Sequence, residues 1–120
     1  DASENLRHTG DHEMVKPTAG VKHDQGKPPI SLISRKAIEE EAKVMAFGLT
    51  KYGAHNWRKG MAWSRNIDAA LRHLLAFADG EDVDPETGLS HLAHARCCMA
   101  FLIEYKATHP KLDDRHVRKT

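Results

Sequence analysis

The sequence predicts an all-α fold, a small helical bundle of three main helices completed by homo-oligomerisation. Two observations predict it. Apolar residues recur at helical spacing in three separate stretches, and each stretch is closed by Gly53, Gly80 or Pro110. The length bounds the rest: 120 residues fit one ordinary domain. A chain of this size covers only about two-thirds of its unfolded surface. Three helices with narrow apolar stripes leave much of that surface wet, so a dimer or tetramer is expected.

The elements follow in chain order. Residues 1–20 are polar, without helical or strand period, and are read as a flexible tail. From Val21 the chain stays irregular, held extended by Pro28 and Pro29. The short apolar run Ile30–Ile33 fits a packed, extended lead-in better than a strand. Helix one is predicted after Ser34, an acceptable N-cap, with Ile38, Ala42, Met45 and Leu49 as its stripe and Gly53 as its end. A polar loop covers residues 54–63. Helix two is predicted after Ser64, with Ile67, Ala70, Leu71, Leu74, Leu75 and Ala78 as the cleanest stripe in the chain. A second loop covers residues 81–88. Helix three is predicted from about Leu89 to Ala107, with Leu92, Ala95, Met99, Leu102 and Ile103 on one face and Pro110 closing it. The charged residues from Lys111 are expected to fray, so the domain is read as 21–114, with 115–120 a loose end.

Composition excludes several classes. The chain carries 18 basic and 17 acidic side chains, a formal net charge of +1. A dedicated duplex-DNA binder carries a clear basic excess, so nucleic acid is not the expected partner. No apolar run approaches the roughly 20 residues of a membrane helix. The two cysteines, Cys97 and Cys98, are adjacent, which disfavours a bridge and fits reduced thiols in a cytoplasm-like compartment.

Five groups of residues carry possible chemistry. Glu39, Glu40 and Glu41 open helix one. Glu41 falls beside the apolar stripe, where a carboxylate needs compensation and a divalent cation would supply it. The same triplet also reads as a solvated first turn that complements the helix dipole. The loop Asp79–Glu86 holds five carboxylates in eight residues, among them Glu81, Asp84 and Glu86. Such hard oxygen donors suit Mg²⁺ or Mn²⁺ shared with phosphate, or a solvated acidic turn. It lacks the spacing of a calcium loop.

His91 and His94 are three apart and share a helix face, with Cys98 four residues beyond and His73 available from helix two. They are candidates for general acid–base work, phosphate contact or a metal, or for histidines at the core edge. The segment Lys51–Lys59 offers Lys51, Arg58 and Lys59 for phosphate, Tyr52 and Trp57 for stacking, and Asn56 for a base edge. It reads equally as a basic loop anchored by its Trp. Arg72 either reaches phosphate or pairs with Glu40 or Glu41.

The blocks GKPP, KYGAHNWRKG, LRHLLAF and GEDVDPETGLSHLAHA together resemble the phage and prophage domain named for dATP/dGTP diphosphohydrolase, over Val21 to about Asp114. That resemblance implies metal-dependent hydrolysis of purine deoxynucleoside triphosphates in phage nucleotide metabolism, within the cytoplasm of a bacterial host. It also implies similarity to the all-α pyrophosphohydrolases of the MazG type, whose metal ligands follow ExxE and ExxD patterns. This sequence departs from those patterns: helix one has Glu40 and Glu41 without ExxE, and His91 and His94 stand where ExxD would fall. Two readings follow. In the first, Glu40, Glu41, Glu81, Asp84 and Glu86 hold Mg²⁺ or Mn²⁺, and His73, His91 and His94 move protons. Lys51, Tyr52, Asn56, Trp57, Arg58, Lys59 and Arg72 then hold the nucleotide. In the second, the chain binds a nucleotide without cleaving it. A His/Asp phosphohydrolase centre is disfavoured, because its dipeptide occurs as His23-Asp24, outside the helices.

Overall fold

The computed structural model describes residues 19–118. The chain divides into two units after Ile30. The described part of the first, residues 19–30, is exposed throughout and holds one turn closed by Lys27 N–H on the Asp24 carbonyl at 3.0 Å. The second unit carries the helices: α1 (Arg35–Tyr52), α2 (Trp63–Ala78) and α3 (His91–Thr108). Among the described residues the fold is all-α, with a lone antiparallel bridge between Val83 and Ser90.

Helix boundaries follow local chemistry. Ser34 caps α1 by accepting from Ala37 N–H at 3.1 Å. Gly53, at φ 92°, ends it by returning its N–H to the Leu49 carbonyl, a backbone conformation that costs a Cβ-bearing residue. Ser90 caps α3 by accepting from Leu92 and Ala93 N–H. Helix α2 starts at Trp63, after Ala62, rather than after Ser64. Ser64 is engaged elsewhere: its backbone N–H and its hydroxyl both bond the Asp114 carboxylate. The chain after Pro110 therefore folds back. Arg115 pairs with Asp113 at 2.8 Å and lies over the Trp63 ring at 4.9 Å, so the fraying expected from Lys111 does not begin there. Ile30–Leu32 forms a short 3₁₀ turn instead of an extended lead-in.

Helices α2 and α3 form an antiparallel hairpin, and α1 packs across α3. The core is Trp63, Ala93, Ala95, Cys97 and a wholly buried Tyr105. The connection between α1 and α2 is tied to the far end of α3. Tyr105 donates its hydroxyl to the Trp57 carbonyl, His109 Nε2 bonds the Arg58 carbonyl at 2.8 Å, and Trp63 Nε1 donates to the His109 carbonyl at 3.1 Å. Gly60 lets these strands of chain meet, since a Cβ there would lie 2.8 Å from Leu112 Cδ1.

The stripes face differently from expectation. On α1, Ile38 and Leu49 are exposed, and the covered side is Ala37, Glu41, Val44, Met45 and Gly48. On α2 the covered face is Trp63, Asn66, Ala69, Ala70, His73 and Ala76, while Leu71, Leu74 and Leu75 point outward. On α3, Leu92, Met99 and Ile103 are exposed.

A candidate site of imidazoles and a carboxylate between the second and third helices

The loop from Asp79 to Ser90 is a compact hairpin. Glu81 N–H bonds the Ala76 carbonyl, Asp84 N–H bonds the Leu89 carbonyl at 2.8 Å, Gly88 N–H returns to the Asp84 carbonyl at 2.7 Å, and His91 N–H bonds the Asp82 carbonyl. These bonds satisfy the loop's backbone and aim two of its acids at the helices. Asp84 Oδ1 accepts from Glu86 N–H at 2.8 Å, the local closure an Asx turn makes. Its Oδ2 is left facing His73 Nδ1 at 4.0 Å and His94 Nε2 at 3.9 Å.

A third histidine adjoins these two. His91 is buried at the start of α3, and its Nε2 bonds Glu81 Oε1 at 2.6 Å. Its Nδ1 lies 2.9 Å from His73 Nδ1. The His73 ring stacks on His94 at 4.5 Å with 7° between planes, and His94 Nε2 also meets Thr87 Oγ1 at 2.8 Å. Burial, followed by repulsion from His94, pushes the His73 pKa below the ordinary imidazole value, with Asp84 opposing. Burial likewise lowers that of His94, again against Asp84. Both rings are thus held neutral at neutral pH, each with one unprotonated nitrogen.

This has a consequence for stability. Unfolded imidazoles titrate near about 6.5, and the folded ones below that. As pH falls through the unfolded value, the unfolded chain takes up protons that the folded chain refuses, and stability declines until the folded pKa is passed. The melting temperature is therefore expected to drop between pH 7.5 and pH 5.5. A His73→Gln/His94→Gln double variant should show a flatter profile over the same window. Equal slopes would remove these two rings as the cause.

The structure brings His73, His91, His94, Asp84 and Glu81 together. It does not gather the five acids into one ligand set. Glu40 pairs with Lys43 at 2.7 Å and Lys36 at 3.4 Å, and its pKa is lowered first by the Lys43 hydrogen bond. Glu41 is paired with the Arg96 guanidinium of α3 at 2.7 Å. Glu86 is exposed and joins the site through its backbone. Among the described residues, His73, Asp84 and His91 are the group whose ligand atoms all lie within 4.8 Å of one another. Cys98 is outside that group, and burial raises both thiols, Cys97 to about 12, so neither offers a ready thiolate.

Beside the cluster lies a cavity of about 420 Å³ between the C-terminal half of α1, the following loop and α3. Its size falls within the range of small-molecule pockets. Tyr52, Asn56 and Trp57 line it, together with Arg65 and Phe101, and His94 belongs to both cavity and cluster. Trp57 is already engaged, stacked on Phe101 at 4.6 Å and covered by the Arg58 guanidinium at 4.3 Å. Arg58 also bonds His55 and Glu104. Lys51 lies over Tyr52, and Lys51, Lys59 and Arg72 are exposed away from the cavity lining. Sequence reasoning missed Thr87, Arg65 and Phe101. Thr87 had a usable signal, since it sits seven residues before His94 in the loop that returns to it.

A family model described as dATP/dGTP diphosphohydrolase, N-terminal, matches residues 17–115. A protein of Salmonella phage PMBT28, named dATP/dGTP diphosphohydrolase, is 45% identical over 96 residues, which cover 80% of this chain and 33% of that protein. The chain thus spans about a third of the relative's length. No solved structure matches it.

Proposed function

The chain belongs to the dATP/dGTP diphosphohydrolase N-terminal family, and from that premise we propose that it serves the divalent-metal-dependent hydrolysis of purine deoxynucleoside triphosphates. The observation that carries the reading is His94, shared by a cavity of nucleoside size and by the imidazole–carboxylate cluster. The cavity takes the base, with Tyr52 and Phe101 as apolar walls and Asn56 as a polar edge. The phosphates extend toward the cluster. Arg65 at the cavity and Arg72 next to His73 are two helical turns apart on one side of α2 and supply positive charge. Mg²⁺ or Mn²⁺, when bound with the nucleotide, would lower the cost of developing charge. A neutral His94 takes the proton of the attacking water. That water adds to the α-phosphorus as the bond to the bridging oxygen breaks, leaving monophosphate and pyrophosphate. The exposed stripe of α2 and α3 supports a homo-oligomeric working form.

Incubation with each dNTP and NTP, with Mg²⁺, Mn²⁺ or EDTA, followed by product chromatography, tests this. Metal-dependent conversion of dATP or dGTP to the monophosphate is expected, falling at least 100-fold in Asp84→Asn. The matched stretch is only 33% of the relative, which favours a second reading in which this domain binds the nucleotide and another part cleaves it. Intact nucleotide retained without turnover would select that reading. Neither turnover nor binding would end both.

A further inference from the structure

We propose that His73, His91 and Asp84 form a resident site for a divalent transition-metal ion of the zinc or cobalt kind, filled without any nucleotide. The argument begins with distances. A metal about 2.0–2.1 Å from two imidazole nitrogens sets them roughly 2.9 Å apart at a right angle and roughly 3.4 Å apart in a tetrahedron. His73 Nδ1 and His91 Nδ1 stand 2.9 Å apart. Two ring nitrogens are therefore already spaced as neighbouring ligands. Asp84 Oδ2, at 4.0 Å from His73 Nδ1, needs to close by about 0.5–1 Å to complete the set.

The surroundings agree with that use. A ligating histidine ordinarily donates its other ring N–H to a carboxylate or carbonyl, which fixes the tautomer and raises its basicity. Glu81 does this for His91 at 2.6 Å, leaving Nδ1 with its lone pair toward His73. Asp84 spends one oxygen on Glu86 N–H and keeps the other free. His94 Nε2, 3.9 Å from that oxygen, is placed as an orienter of Asp84. Helix α2, helix α3 and the hairpin between them each supply one ligand, so the hydrogen bonds that close the loop also set the site.

The donor chemistry selects the ion. Two imidazoles with one carboxylate suit borderline cations such as Zn²⁺ or Co²⁺, whereas Mg²⁺ and Mn²⁺ prefer oxygen-rich shells. This ion is thus different from the Mg²⁺ or Mn²⁺ carried by a triphosphate, and its presence does not depend on the hydrolysis proposed above.

The test uses the purified chain, stripped with chelator, dialysed, and titrated with Zn²⁺, Co²⁺ and Mg²⁺ in the absence of nucleotide. Binding of one equivalent of Zn²⁺ and of Co²⁺ is expected, with visible Co²⁺ ligand-field bands and no saturable Mg²⁺ binding. His91→Ala and Asp84→Asn should each weaken Co²⁺ binding at least 100-fold, and Glu81→Gln by about 10–100-fold, the range for a group that orients a ligand. Circular dichroism checks that the variants remain helical. Should one fail to fold, the wild-type ring nitrogens read the site directly: on Zn²⁺ addition the Nδ1 signals of His73 and His91 shift. No stoichiometric binding, unshifted signals at these two rings, or unaltered binding in folded His91→Ala would overturn the proposal. Loss of nucleotide turnover with intact Zn²⁺ binding would refute the hydrolytic reading alone.

Discussion

Tyr105→Ala is expected to destabilise the domain by about 3–5 kcal/mol, the range for deleting a large buried aromatic side chain. Tyr105 is the one large side chain among the described residues that is fully enclosed. Its ring sits among Trp57, Phe101 and the edge of His109, at centroid distances of 6.3, 6.4 and 5.4 Å. Few other residues in this small core can close over the vacancy, which places the cost toward the upper end. A domain of this size has only about 5–15 kcal/mol in total, so the midpoint of thermal unfolding should fall by well over 10 °C. The hydroxyl adds a separate effect. It holds the Trp57 carbonyl and thereby the turn Asn56–Lys59 against α3. Tyr105→Phe keeps the ring and should cost only about 1 kcal/mol, the usual net worth of one hydrogen bond. Chemical denaturation of both variants separates packing from the bond. A loss below about 1 kcal/mol in Tyr105→Ala would show that this cluster is not the core.

What the sequence revealed follows from how far each signal reaches along the chain. Helix ends are local events, so Ser34 and Gly53 mark α1 as read, and Ser90 starts α3 within two residues of the expected place. Ser64 looked like a cap because of its residue type, but a distant partner, Asp114, claims it. The meeting of His91 with His94 was legible from their spacing of three, and that of His73 from its helix. The orientation of Asp84 was not, because it depends on the hairpin bonds through Leu89 and Gly88. Glu41 illustrates the limit of spacing arguments. Its place beside a stripe suggests a divalent cation or a solvated turn, and spacing along α1 cannot say that Arg96, 55 residues away, pairs with it.

The outward stripes lead to the second large expectation. In a hairpin the face with the highest apolar content ordinarily packs inward, yet here α2 turns Trp63, Asn66 and His73 toward α3 and leaves Leu71, Leu74 and Leu75 about half exposed or more. Ile67 and Ile103 flank one groove between the two helices, which places Leu71 and Met99 next along the same face by helical repeat. A stripe that runs along both arms of an antiparallel hairpin is self-complementary under a two-fold axis, and two such hairpins close a four-helix bundle. A second copy is therefore the expected occupant. Leu75 and Ile103 are 63% and 76% exposed, so the single chain does not depend on them for its own core. In a two-fold dimer each is buried twice, and burial of such a side chain contributes about 1.5–3 kcal/mol. Ile103→Glu should thus cost at least about 3 kcal/mol of association, a weakening of 100-fold or more in Kd. Leu75→Glu should act in the same direction while the helical content is retained. Sedimentation equilibrium of the wild type and the two variants measures this. A wild type that is monomeric at high micromolar concentration would show that the stripe does not pair with its own copy, and would direct attention to the two-thirds of the longer relative that this chain does not span.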